Sequence, residues 1–83
     1  MNYSVSLDKS AQDFLDKLPK NTALRIINKL EQVKANPFHY IEHYEGQYYK
    51  SRVGDYRILI DIDFQKEILW IRIIDKRGRI YKR

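Results

Sequence analysis

Lys50, Arg52, Arg57, Arg77, Arg79 and Tyr81 are the residues of this 83-residue chain whose types and spacing fit chemistry on a phosphate. Lys50 and Arg52 alternate with Tyr49 and Ser51. Strand side chains switch faces with a period of two, so both cations share one face. Arg57 follows a turn at Gly54-Asp55 and opens the next strand. Arg77 and Arg79 lie in the last segment, with Tyr81 four residues beyond Arg77. Neighbouring strands of a regular meander lie ~4.8 Å apart, so these groups converge on one concave face. Arginine forks match phosphate oxygens two at a time. A tyrosine ring stacks on an unpaired base. Lys76, Lys82 and Arg83 extend the positive charge, and from Lys76 to Arg83 there is no acid.

This set lacks the usual nucleophiles and bases of an enzyme. There is no cysteine, and no carboxylate pair stands near the cations. His39 and His43 sit at i and i+4 in a segment read as a loop outside the basic half, and they read as surface residues rather than metal ligands or a catalytic base. No metal and no cofactor is expected. One reaction suits arginines and a tyrosine all the same. In RNA the 2′-hydroxyl attacks its own 3′-phosphate, so the protein only aligns the groups and stabilises a phosphorane-like charge. The competing reading is a basic surface that binds phosphates without chemistry, and spacing and composition alone favour it.

Charge placement narrows the partner. Residues 1–46 hold equal numbers of basic and acidic side chains, and residues 47–83 carry the whole net charge of +5. Such asymmetry between halves points to a polyanion, nucleic acid first. The length fits one domain, residues 1–83, with a thin core. The absence of cysteine makes a reducing cytoplasm the natural setting. No apolar run is long enough for a membrane span, and Met1-Asn2-Tyr3-Ser4 has no signal-peptide pattern, so no membrane partner is expected.

The supporting elements follow from periodicity. Asn2 to Leu7 alternates and predicts a short strand, with Tyr3, Val5 and Leu7 on one face. Asp8, or Ser10 with Asp13, offers a cap for a helix whose stripe is Ala11, Phe14, Leu15 and Leu18. Pro19 ends it or starts the next helix, about 21–35, with Ala23, Ile26, Ile27, Leu30 and Val33 buried. Asn36-Pro37 stops that helix, and 38–45 reads as a loop. Strands follow over 47–53, 56–64 and 67–75, and Gly78 turns the tail into a short last strand. In the third of them, strict alternation places Leu69, Ile71 and Ile73 on one face and Ile68, Trp70, Arg72 and Ile74 on the other. The order is strand, helix, helix, then three or four strands. That is an α+β fold in which an antiparallel meander packs on a helical hairpin.

Tyr49-Lys50-Ser51-Arg52, Gly54-Asp55-Tyr56-Arg57-Ile58-Leu59, Ile74-Asp75-Lys76-Arg77 and Ile80-Tyr81 together resemble the RelE/ParE superfamily of toxin–antitoxin toxins. The likeness spans nearly the whole chain. It leans toward RelE-type messenger-RNA interferases, with an archaeal one as the candidate relative.

The resemblance implies a RelE-like fold and a type II toxin that enters the ribosomal A site and cleaves the codon there by 2′-hydroxyl attack. The expected products are a 2′,3′-cyclic phosphate, or its opened form, and a 5′-hydroxyl. It also implies roles. The family's two strand cations fall on Lys50 and Arg52, its phosphate clamp on Arg57, its arginine near the leaving group on Arg77, and its C-terminal tyrosine on Tyr81. Lys50, Arg57, Arg77 and Tyr81 are thus the expected catalytic set. Arg52, Lys76, Arg79, Lys82 and Arg83 are the expected RNA contacts. One departure stands out: RelE enzymes often carry a second lysine, thought to act as base, where this chain has Arg52. Arginine keeps its proton and makes a poor base. The role passes to Lys50, to Tyr81 or to no side chain, and a lysine accepts a proton only once neutral, which a cluster of like charges favours. The implied partners are a cognate antitoxin on a separate chain, messenger RNA on the ribosome, and operator DNA only together with the antitoxin. Two alternatives belong to the same superfamily: a ParE-like inhibitor that acts by binding DNA gyrase, and a toxin that has lost its chemistry.

Overall fold

Alternation and helical periodicity, read in order, build a sheet with helices on one side. The computed structural model describes residues 3–76. The order is β1 (Ser4–Leu7), α1 (Lys9–Asp16), α2 (Lys20–Ala35), α3 (Pro37–Tyr40), β2 (Glu42–Glu45), β3 (Tyr48–Val53), β4 (Tyr56–Asp63) and β5 (Ile68–Lys76). The sheet runs β1-β5-β4-β3-β2. The last four strands form an antiparallel meander, and β1 joins parallel to β5 at the far edge. The α+β expectation holds, with a five-stranded sheet. The predicted strand in the tail lies outside the described residues.

Ile58, Ile60 and Ile62 of β4 and Leu69, Ile71 and Ile74 of β5 point at the helices and are buried there. Ala11 and Leu15 of α1 and Ile26, Leu30 and Val33 of α2 meet them. The outer face, which none of the three helices covers, takes the other half of each strand. The register rows across it are Glu42–Lys50–Leu59–Ile73 and Arg52–Arg57–Asp75.

Four expectations change. First, β5 does not alternate strictly. A bulge shifts the register between Leu59 and Ile60, which pair with Ile73 and Ile71, so Arg72 is the extra residue. Ile74 therefore joins the core, and Ile73 stands on the outer row. Second, the segment read as a loop holds α3 and the edge strand β2. Third, Ile27 of the predicted buried stripe is 41% exposed. Fourth, Asp8 stands at the N-cap of α1 but makes no side-chain cap hydrogen bond.

The bulge explains the fourth change. Arg72 Nη1 donates to both carboxylate oxygens of Asp8 at 3.1 Å, and Nη2 donates to Asp61 at 3.2 Å. Ser10 Oγ donates to the Arg72 carbonyl at 3.1 Å, so it too serves the bulge rather than a capping box. The two carboxylates, Asp8 first, push the Arg72 guanidinium above its ordinary range. Arg72 is thus a structural cation that ties β5 to β4 and to the start of α1. The group is partly exposed, which weakens its ion pairs. Arg72→Ala is expected to cost about 1 kcal/mol and lower the melting temperature by about 4–8 °C, read by circular dichroism. A melting temperature within a degree of wild type would remove Arg72 from the frame.

The turn between β3 and β4 is two residues long, since Val53 pairs with Tyr56. Gly54 takes the first central position with φ of +56°. A side chain there would be strained, and a Cβ would also sit 3.1 Å from Arg25 Nη2.

Candidate functional site

The β3–β4 hairpin sets the site. Odd–even alternation turns Tyr49, Ser51 and Val53 toward the helices and Lys50 and Arg52 outward. Lys50 stands opposite Leu59, and Arg52 opposite Arg57. The three cations therefore share the outer face, as their spacing predicts. Arg57 differs from a solvated surface arginine: it is only 8% exposed. It lies between Arg52 on β3 and Asp75 on β5. A buried guanidinium is costly unless neighbouring groups offset its charge, and Asp75 is the acid in that row. Arg57 is held by two strands and has few ways to relax, the condition for a preorganised anion clamp. Lys50 Nζ lies 5.6 Å from the centre of the Tyr44 ring, so β2 carries an aromatic face for it.

Lys50, Arg52 and Arg57 line a cleft of about 390 Å³. Its other walls include Lys29 of α2, His39 and Tyr40 of α3, and Glu42 and Ser51. Glu42 makes the last pair of β2 with β3, opposite Lys50, so Ser51 to Val53 run on beyond β2. The cleft draws walls from both faces of the sheet at this edge. Ser51 is buried there and donates to the Tyr40 carbonyl at 3.1 Å, which anchors α3 against β3. Lys29 Nζ stands 5.1 Å from the centre of the Tyr40 ring. His39 meets Tyr40 edge-on, with ring centres 4.7 Å apart.

His39 therefore belongs beside the basic residues, although its sequence neighbourhood places it outside them. Lys29 is another wall residue that sequence reasoning missed, as are Tyr40 and Glu42. It looks like any outward helix lysine, and only the docking of α2 on β3 brings it to the cleft. His43 is different: its Nε2 lies 2.7 Å from the Gly46 carbonyl oxygen and its ring packs edge-on against Tyr49, so it shapes the β2–β3 turn. Lys76 stands opposite Tyr56, whose ring packs against Phe14 of α1. It emerges on the helix side, away from Arg57, and the register does not bring it to the other cations. Arg77, Arg79, Tyr81, Lys82 and Arg83 lie outside the described residues.

A family model described as the ParE toxin of type II toxin-antitoxin system, parDE, matches residues 5–81. The chain belongs to this family. Its fold is found again in solved structures of RelE toxins and of toxin–antitoxin complexes. A chain of the RelBE2 toxin–antitoxin complex from Mycobacterium tuberculosis superposes with a TM-score of 0.83 at 22% identity, over 93% of this chain and 100% of that one. A chain of the archaeal RelE–RelB complex from Pyrococcus horikoshii gives 0.78 at 24% identity, over 95% and 99%. A variant of the Escherichia coli RelE toxin in the free state gives 0.80 at 19%, over 99% and 93%. At these identities the likeness to RelE structures shows the fold. No curated protein matches the chain. As a member of the ParE toxin family, the chain is a type II toxin by family and carries its basic hairpin on the outer face of a RelE-like sheet.

Proposed function

We propose that this toxin is a ribosome-dependent endoribonuclease that cleaves messenger RNA in the A site and so inhibits translation. The observation that carries the reading is the outer face on which Lys50 and Arg52 of β3 stand beside the buried Arg57 of the adjacent β4. In the proposed reaction the 2′-hydroxyl oxygen attacks the adjacent phosphorus, and the bond from phosphorus to the 5′ oxygen breaks. A 2′,3′-cyclic phosphate and a 5′-hydroxyl form. Arg57 clamps the non-bridging oxygens as their charge grows, and Lys50 adds charge from the neighbouring strand. Arg52 keeps its proton and serves as an RNA contact. The 2′-hydroxyl proton goes to Lys50 once that amine is neutral, so that Lys50 adds its charge on taking the proton, to Tyr81 as its phenolate, or to water with no side chain as base. Arg77 stabilises the leaving 5′ oxygen, which takes up a proton. Arg79, Lys82 and Arg83 hold the flanking strand, and Lys76 is a separate RNA contact on the helix side.

The reading brings partners with it. A cognate antitoxin covers the basic face, and the complex binds operator DNA. The antitoxin is supported by the RelE–RelB and RelBE2 complexes in which chains of this fold occur. The setting is the cytoplasm, where ribosomes are. A second reading, gyrase inhibition by binding alone, is favoured by the matched family, which is described by ParE. The two part on one experiment. Primer extension on a message held in a programmed ribosome should show a cut in the A-site codon with wild type and none with Arg77→Ala. An intact message with both proteins, while DNA supercoiling by gyrase is blocked, would establish the second reading instead.

A further inference from the structure

The cleft is wider than a phosphate clamp needs. At about 390 Å³ it sits near the lower end of ligand-sized pockets, roughly 300–1,000 Å³, and so has room for a nucleotide beside the phosphate held at Arg57 rather than for a bare anion alone. Its far wall, Lys29, His39 and Tyr40, takes no part in the chemistry assigned above. Lys29 is held over Tyr40, and Tyr40 is anchored through its carbonyl to Ser51, so the cation is placed by the same contact that seats α3. His39 is exposed beside it and offers an aromatic face. Among the described residues that line the cleft, Lys29, Lys50, Arg52 and Arg57 stand against one acid, Glu42, while Asp75 lies beside Arg57 outside that lining.

We propose that this wall is a second nucleotide subsite: the nucleotide next to the one at Arg57 places its phosphate on Lys29 and stacks its base on His39. The strand crosses the β3 edge where β2 stops, from the outer face toward α2. This inference rests on the part of the proposed function by which the basic face binds RNA. It adds two positioning residues that hold the strand without touching the reacting atoms, and it gives His39 the role of a stacking platform.

The test is fluorescence anisotropy of a labelled single-stranded RNA of about eight nucleotides on the isolated chain, across a salt series. Lys29→Ala is expected to weaken binding roughly three- to tenfold and to lower the slope of log affinity against log salt by about 0.7, the value of one lost phosphate contact on a single strand. Lys29→Arg should restore both. His39→Ala should weaken binding at least about fivefold with the salt slope unchanged, and His39→Phe should restore it. Lys66→Ala, on the β4–β5 turn at 64–67, is the control and should change little. Circular dichroism melts confirm that each variant folds. Wild-type binding that is absent, or unchanged in Lys29→Ala and His39→Ala, overturns the subsite. So does an equal loss in Lys66→Ala, which would mean diffuse attraction. The outcomes separate from those of the nuclease reading. Binding through Lys29 and His39 with a ribosome-held message left intact keeps the subsite and removes the nuclease. A cut message with variants that bind like wild type does the reverse.

Discussion

Arg57→Ala is expected to slow cleavage of a ribosome-held message by about a hundred- to a thousandfold, the usual cost of removing one preorganised charge from a developing anion. Burial drives the size of the effect. A guanidinium 8% exposed between Arg52 and Asp75 would meet a phosphate with little water to screen it. Arg57→Lys should recover only part of the rate, since an ammonium keeps the charge but loses the two-pronged geometry. Single-turnover cleavage at saturating toxin isolates the chemical step from binding. A rate within about threefold of wild type, in a protein that melts normally, would remove Arg57 from the reaction and shift the weight to Lys50 and the tail.

The second large effect concerns the β5 bulge. Ile71→Ala and Ile74→Ala should each cost roughly 2–5 kcal/mol, because both side chains are packed between the sheet and the helices. A domain of 83 residues is stable by roughly 4–12 kcal/mol in all, so either change removes a large share. Ile73→Ala, on the half-buried outer row, should cost at least about 1 kcal/mol less than either. Urea unfolding of the three variants reads this directly. The reverse ranking, with Ile73 costlier than Ile74, would mean that β5 alternates without the bulge.

These two regions also show how far the residues alone carry the fold. In β3 and β4, charged side chains alternate with uncharged ones, Leu59 excepted, so one face can be told from the other and Lys50, Arg52 and Arg57 fall together. In β5 the run Ile71, Arg72, Ile73, Ile74 is apolar on both sides of the arginine, and a one-residue slip leaves no trace in hydrophobicity. Strand β2 is equally silent. Glu42-His43-Tyr44-Glu45 is a polar edge strand, and polar edges guard sheets against unwanted pairing at the expense of the alternation that would reveal them. Phe64 extends the apolar phase of β4 on paper, yet it lies past the end of that strand, 51% exposed and stacked on Phe38. The Lys29–His39 wall depends on helices docking across the sheet, which no local pattern records. Arg77 and Tyr81 gained their roles from family likeness, because a basic tail has no periodicity to interpret.

The parallel pairing of β1 with β5 sets the order in which the molecule assembles. Ser4 meets Ile68, and Leu7 meets Ile71, across most of the chain. Closing a loop of that length costs roughly 3–4 kcal/mol of chain entropy before any contact repays it. The β3–β4 and β4–β5 hairpins close over short turns and face no such barrier. The meander that bears the cations is therefore expected to form early and β1 to dock last. During synthesis the first strand waits for β5, its only partner among the described strands, before it can pair. Weakening β1 should speed unfolding far more than it slows folding.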